Sequence, residues 1–211
     1  MTDVWTERAA LYRESDVHRE GADLDLLVEW SRGARTGLDV ATGGGHVARR
    51  LRECGIQVVT CDPAPGMQAD VVCRAEDLPF ADGSFDVVAC RVAAHHFTDV
   101  RMALAAMGRV SADRIVVVDN LFVSETSEEA DRLRDPTHVR NYSEEEWRTF
   151  FEEAGLRVEA TVRVDREIEV DGWLERSGCR GAEAARVRAL VADRITAGRV
   201  AMPRIAVKGR R

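Results

Sequence analysis

Short apolar runs, bounded by turn residues and alternating with helical stretches, dominate the first half of this chain. Residues 38–40 form one such run, which enters the cluster Gly43-Gly44-Gly45, and 47–52 resumes with helical spacing. That is strand, tight loop, helix. Residues 56–61 read as a second strand, ended by Asp62 and the turn formers Pro63 and Pro65, and 70–73 as a short third. A fourth strand at 85–89 is followed by a helix over 100–110 carrying Met102, Leu104, Ala105 and Met107, and 115–119 reads as a fifth strand. Strands of the buried type alternating with helices indicate βαβ units and a parallel sheet.

Beyond Asn120 the pattern loosens into a polar stretch, 123–141. Ser143 then caps a helix to Ala154, with Glu146 three residues on as in a capping box, and Gly155 ends it. Residues 156–164 alternate as a strand, 171–176 and 181–196 read as helices, and 204–208 as a terminal strand. Trp147 and Phe150, at helical spacing, belong to the core, and Trp5 and Trp30 to the packing of N-terminal helices. No internal repeat or low-complexity segment is present. A length of 211 residues with 45% hydrophobic positions suits one domain spanning 1–211.

Charge and composition remove several functions. All but one of the 30 basic residues are arginine, and the exception, Lys208, lies near the end of the chain. A phosphate-binding P-loop requires a lysine after its glycines and Schiff-base chemistry an internal amine; neither is available. A net charge of −7 disfavours a nucleic-acid partner, because affinity for a phosphate backbone comes mainly from cationic contacts. The arginines after Arg176, among them Arg180, Arg186, Arg188 and Arg194, are interleaved with Glu175, Glu183 and Asp193 and read as a solvated helix face. No stretch approaches the roughly 20 apolar residues of a membrane span, and residues 1–12 hold no apolar run suited to a signal peptide, so a cytoplasmic location is expected. Five cysteines without CxxC spacing point to reduced, buried thiols rather than a zinc site.

The segment 38–48, LDVATGGGHVA, carries the most chemical information. Its glycines let the backbone turn sharply and approach a ligand, and the helix that follows offers free N–H groups at its start. Gly43-x-Gly45-x-x-Ala48 also fits the dinucleotide fingerprint, and Asp62, at the end of the next strand, can accept both hydroxyls of a ribose. Asp39 decides between ligands. A carboxylate just before the glycines would repel a pyrophosphate but suits ammonium and sulfonium charges, which favours S-adenosylmethionine over NAD.

LDVATGGGHVA, VVTCDPAPGM and AEDLPFADGSFDVV together resemble the successive motifs of class I S-adenosylmethionine-dependent methyltransferases, in the branch similar to ubiquinone and menaquinone C-methyltransferases. CRVAAHHFTDV and RLRDPTHVRNYSEEEW resemble segments of a bacterial part of that branch. The resemblance implies an α/β, Rossmann-like, doubly wound sheet of seven mostly parallel strands, with the cofactor across the C-terminal strand ends. By motif position Asp39, Ala41, Gly43 and Gly45 would shape the methionine pocket, Asp62 would hold the ribose, and Pro63 or Met67 would pack on the adenine. Ala75 and Glu76 would border the adenine, and Cys90 and Arg91 would lie under the methionine moiety. His18 and Gly21 resemble the family's entry segment, with Tyr12 closing that side, so residues 1–35 would be a helical cover. Segments 121–142, with Arg134, His138 and Arg140, and 171–198 would be substrate lids.

Two departures from the family pattern stand out. Arg74 occupies the position where many members carry an Asp toward the adenine amino group. Between Asp62 and Ala75 there is no room for the usual crossover helix, so a loop or single helical turn is expected, with a more open adenine side.

His95 and His96 follow the fourth strand; neighbouring residues cannot both face one pocket, and the family places a His like His96 in a structural hydrogen bond. His95 is therefore the candidate general base, with His138 a second catalytic candidate, and no spacing supports a metal site. The implied function is methyl transfer from S-adenosylmethionine to a small-molecule acceptor by in-line displacement, in a monomer or homodimer. An NAD(P)-dependent oxidoreductase is the alternative from the glycine spacing, though it lacks a catalytic Tyr/Lys pair. A non-catalytic protein that binds the same cofactor is the alternative suggested by Arg74 and the short crossover.

Overall fold

The computed structural model describes residues 4–13 and 16–211; residues 1–3, 14 and 15 of the expected N-terminal cover lie outside them. Strands β1 (Thr36–Val40), β2 (Gln57–Asp62), β3 (Val71–Val72), β4 (Phe85–Arg91), β5 (Ser111–Asn120) and β6 (Arg157–Val164) are joined in one sheet by β10 (Arg204–Arg210). The order is β3-β2-β1-β4-β5-β10-β6, with β10 antiparallel to β5 and β6 and the other pairings parallel. This is the expected seven-stranded, mostly parallel, doubly wound sheet. The chain reverses its direction of travel across the sheet between β1 and β4, the switch point where open α/β sheets bind ligands.

Side-chain alternation explains why the central strands read as continuous apolar runs. Val87, Ala89, Val116 and Val118 face one side, against Leu24 and Leu27 of α3 (Ala22–Trp30) and Ala48 and Leu51 of α4 (His46–Glu53). Val88, Cys90, Ile115 and Val117 face the other, against Leu104 and Met107 of α5 (Val100–Val110) and Trp147 and Phe151 of α7 (Glu144–Glu153). Both faces are covered, so both parities must be apolar. The capping box read at Ser143 and Glu146 is present and starts α7.

Between β2 and β3 the chain makes one 3-10 turn, Pro65–Met67, as the short spacing requires. The place is not left open, however. Helix α1 (Val4–Arg13), which precedes the single-turn α2 (Asp16–Arg19), packs on that turn, burying Ala9, Ala64 and Met67, with Thr6 Oγ1 accepting from the Gly66 amide at 3.1 Å and Arg13 Nη1 donating to the Gly66 carbonyl at 2.8 Å. A Cβ on Gly66 would stand 2.7 Å from the Thr6 Cα, so only glycine lets the two backbones meet. Gly66→Ala is expected to displace α1 at a cost of about 1–3 kcal/mol, read as a lower urea midpoint and faster proteolysis within α1.

The second half departs from the sequence reading at two places. The polar stretch contains α6 (Glu125–Arg134), started by the Ser124 side chain accepting from the Ser127 amide. It buries Glu128 and Asp131 rather than an apolar stripe, which is why hydrophobic periodicity misses it. Residues expected to continue helix α9 (Gly181–Leu190) instead turn back as a hairpin, β8 (Ile195–Thr196) and β9 (Arg199–Ala201), through Ala197 and Gly198, both at positive φ. This hairpin, β7 (Glu167–Glu169), α8 (Val170–Ser177) and α9 share an apolar cluster with Ala130 of α6. The segments 121–142 and 171–198 therefore pack together around a core of their own.

Candidate functional site

The ends of β1, β2 and β4 converge on a cavity of about 340 Å³. Asp39, next to last in β1, is almost fully buried; its carboxylate accepts from Thr42 Oγ1 at 2.6 Å and from the Ala48 amide at 3.0 Å, bracing the glycine loop from below. Burial pushes its pKa up to about 6, against the two hydrogen bonds that lower it. Asp62 closes β2 and accepts from the Gly43 amide at 3.0 Å and the Ala64 amide at 2.9 Å, which fixes the loop against the next strand. Gly44 lets the loop pass the α1 backbone, since a Cβ there would meet the Tyr12 carbonyl at 2.6 Å. Two residues that are not glycine hold left-handed backbone at the strand ends, Ala41 at φ 53° and Val92 at φ 55°. Such a conformation costs roughly 1–2 kcal/mol in an L-residue, and both residues are in the cavity wall.

Most of the residues expected at the cofactor pocket are brought together here. Tyr12, His18, Asp39, Ala41, Gly43, Asp62, Pro63, Ala75, Glu76 and Arg91 all line the cavity. Gly45 and Cys90 do not. Gly45 is the left-handed residue that starts α4, and Cys90 is wholly enclosed beneath the floor, where burial raises its thiol pKa far above the usual range. Arg74 stands at the rim, with Nη2 2.7 Å from Thr98 Oγ1 and 3.3 Å from Glu76. Glu76 in turn accepts from the Thr98 amide at 2.9 Å.

Sequence reasoning missed His46, Thr42, Trp5 and Phe97 in this wall. Trp5 was expected to serve packing alone, but α1 carries it onto the cavity beside the 3-10 turn. His46, with a ring nitrogen 3.0 Å from the Tyr12 carbonyl, ties α4 to α1. Its place directly after the three glycines was the one signal that could have found it.

Arg91 is the electrostatic centre of the far end. It is buried, with Nε 2.7 Å from Asp23, Nη1 donating to the His18 carbonyl at 2.8 Å, and Nη2 enclosed without a partner among the described residues. Asp23 also receives Arg204 Nη1 at 2.5 Å and Arg166 Nη1 at 3.3 Å. Burial works to raise the Asp23 pKa, but the charges of Arg204 and Arg91 and their hydrogen bonds outweigh it and bring it to about 2.

A second, smaller cavity of about 50 Å³ shares Tyr12, His18, Val92 and His96 with the first. His95 lines this one. Asp119, at the end of β5, grips it twice, accepting from the His95 amide at 2.7 Å and lying 2.6 Å from its ring Nδ1, while the Asn120 amide donates to the same carboxylate at 2.8 Å. A carboxylate at Nδ1 assigns the proton to that nitrogen and leaves Nε2 as the basic one. Burial opposes a charge on His95, but the Asp119 carboxylate more than compensates and its pKa lies above the ordinary value.

The two other histidines of the group are placed differently. His96, expected to turn away from the pocket that His95 faces, instead lines the smaller cavity beside it and the larger one too, because the 3-10 turn at 94–96 ends the strand alternation; its Nδ1 lies 3.0 Å from the Thr137 carbonyl, the structural contact expected of it. His138, expected as a second catalytic residue, is in the wall of neither cavity; its Nε2 is 3.0 Å from Glu128, in a buried network where the Asn141 amide donates to Glu128 and Asp131. His138 adjoins the site through His95 and His96, whose ring centres lie 5.6 and 6.4 Å from its own.

Comparison with known proteins agrees with this geometry. A family model described as a methyltransferase domain matches residues 38–114, which hold the glycine loop, Asp62, Glu76, Arg91 and His95. The chain is 32% identical over 199 residues to YcgJ, an uncharacterized methyltransferase of Bacillus subtilis strain 168, covering 82% of this chain and 78% of that one. The crystal structure of YcgJ superposes with a TM-score of 0.81 at 25% identity, over 90% of this chain and 97% of the other. A demethylmenaquinone methyltransferase of Beutenbergia cavernae is 36% identical over 113 residues, covering 46% of this chain and 45% of that enzyme. With motifs, sheet order and a relative matched over most of its length in agreement, the chain belongs to the class I S-adenosylmethionine-dependent methyltransferases.

Proposed function

We propose that this enzyme binds S-adenosylmethionine in the larger cavity and methylates a small molecule held in the smaller one, with His95 as the general base. The residues present fit that cofactor. Arg91 Nη2 is a buried donor without a partner among the described residues and suits the methionine carboxylate, while the buried Asp39 carboxylate suits the cationic groups nearby. Asp62 would take the ribose, and Ala75 and Glu76 would border the adenine. Arg74, already engaged with Thr98 and Glu76, leaves the wall there to Glu76.

When bound, the cofactor supplies an electrophilic methyl group on a sulfonium sulfur for in-line displacement. The chain supplies alignment and one proton acceptor. The single observation that carries the second part is the Asp119–His95 pair, buried and hydrogen-bonded so that only Nε2 is left for a group in the smaller cavity. Asp119 fixes the ring and strengthens it as a base; His138 and His96 pack around it as positioning residues. α6, α8 and α9, with their shared core, would cover the acceptor.

Cofactor affinity should depend on pH through Asp39. Its pKa of about 6 means that the carboxyl is half protonated near pH 6 in the free protein, whereas a cationic ligand favours the ionised form. Binding of S-adenosylhomocysteine, which keeps the ammonium, is therefore expected to be level above pH 7 and to weaken by up to about tenfold per unit below 6. Titration calorimetry from pH 5 to 8 reads this directly, and Asp39→Asn should bind more weakly at pH 7 and lose the slope.

A further inference from the structure

The smaller cavity has a composition at odds with the chain as a whole. The protein carries a net charge of −7, yet this cavity is lined by Arg134, Arg166, Arg176 and Arg204 together with three histidines, and no Asp or Glu is in its wall among the described residues. The carboxylates that serve these arginines lie behind them. Asp23 holds Arg204 and Arg166, and Asp119 holds His95.

Arg134 and Arg176 are served least. Arg134 is mostly enclosed, and among the described residues its Nε has no hydrogen bond and the carboxylates paired with it are Asp131 at 3.8 Å and Asp135 at 4.0 Å. Asp135 is in turn claimed by Arg8, 3.2 Å from both its oxygens. The Arg134 guanidinium carbon stands over the Trp173 ring, 5.0 Å from its centre, a contact that holds the cation without neutralising it. Arg176, on α8, is half-buried and makes no ion pair or hydrogen bond among the described residues. Its neighbours in space are Arg134 and Tyr12 rather than an acid. Burial and the Arg134 charge both push its pKa down, a sign that the protein gives this cation no compensating anion. Keeping such charges partly desolvated is costly unless a ligand supplies the counter-charge.

The lining also includes three apolar side chains, Trp173, Ile168 and Met202. We propose that Arg134 and Arg176 bind an oxyanion of the methyl acceptor, a carboxylate or a phosphate, while its apolar body lies against Trp173, Ile168 and Met202. This rests on the assignment of the smaller cavity to the acceptor and specifies its chemical class. The guanidinium forks suit a two-oxygen partner, and the anion would fix the acceptor's register relative to His95 Nε2.

The test is titration calorimetry with benzoate, phenyl phosphate and the neutral isostere benzamide, on the protein alone and on the protein saturated with S-adenosylhomocysteine. At least one anion should bind about tenfold or more tightly than benzamide and lose affinity as salt is added. The tighter of the two tells carboxylate from phosphate. Arg176→Gln and Arg134→Gln, made separately, should each weaken the anion about tenfold while leaving S-adenosylhomocysteine within about twofold of wild type. Equal binding of benzamide, no binding of either anion at millimolar concentration, or arginine variants that lose S-adenosylhomocysteine instead of the anion would overturn the proposal. Failure of wild-type protein to bind S-adenosylhomocysteine at all would count against the cofactor assignment, and the titrations on the protein alone would still decide this one.

Discussion

His95→Gln is expected to lower kcat by about 10²- to 10⁴-fold, the usual worth of a general base, while S-adenosylhomocysteine binds within about twofold of wild type. The separation follows from position, since His95 lines the smaller cavity and is absent from the wall of the larger. Glutamine preserves the bulk and can still meet Asp119, so the loss reports the missing base rather than a collapsed wall. The pH dependence has a definite sign. The Asp119 carboxylate raises the His95 pKa above 6.5, so the neutral, basic imidazole is populated only above that value and kcat/KM should rise with pH across it. Asp119→Asn should move that rise to lower pH and reduce the plateau. The stability contribution runs oppositely: it is fully present below the unfolded histidine pKa and is lost as pH rises through the folded one. A His95→Gln enzyme with undiminished kcat and an unchanged pH profile would remove His95 from the chemistry.

Asp23→Asn should be the most destabilising single change in the sheet's end wall. Arg91 of β4, Arg204 of β10 and Arg166 of the β6–β7 connection meet on this one carboxylate of α3, at 2.7, 2.5 and 3.3 Å. Removing its charge leaves buried guanidinium groups facing one another, and breaking a buried pair from one side costs about 3–5 kcal/mol. For a chain of this size that is a fall of roughly 6–20 °C in Tm, measurable by calorimetry. Because the folded pKa of about 2 lies below the unfolded value, this stability is complete above pH 4 and is lost only as pH falls toward 2. The wild type should therefore lose its advantage over Asp23→Asn in acid. Arg91 would also lose its anchor, so cofactor affinity should fall together with stability.

The two predictions mark the boundary of what could be read from residues alone. The glycine loop, Asp39, Asp62 and Arg91 were legible because each sits within a few residues of a strand end, and the doubly wound sheet brings strand ends together. His95 was legible for the same reason. Its partner was not: Asp119 reaches His95 because β4 and β5 pair with Arg91 opposite Val118, a register that no local pattern states. The Asp23 network joins residues 23, 91, 166 and 204, brought together only by tertiary folding. α6 was hidden because it buries Glu128 and Asp131 against His138 and Asn141, so polarity there signals an interior network instead of a loop. The short crossover was visible as a deletion and Tyr12 as a residue closing that side, but not that α1 would come back over the crossover and carry Trp5 into the cavity wall as well.

The account stands or falls on the ligand of the larger cavity, and isothermal titration of the wild-type protein with S-adenosylhomocysteine and, separately, NAD decides it. Saturable binding of S-adenosylhomocysteine at one site per chain, weakened by Asp62→Ala and with no heat from NAD, is the result expected. Binding of NAD without S-adenosylhomocysteine would contradict it.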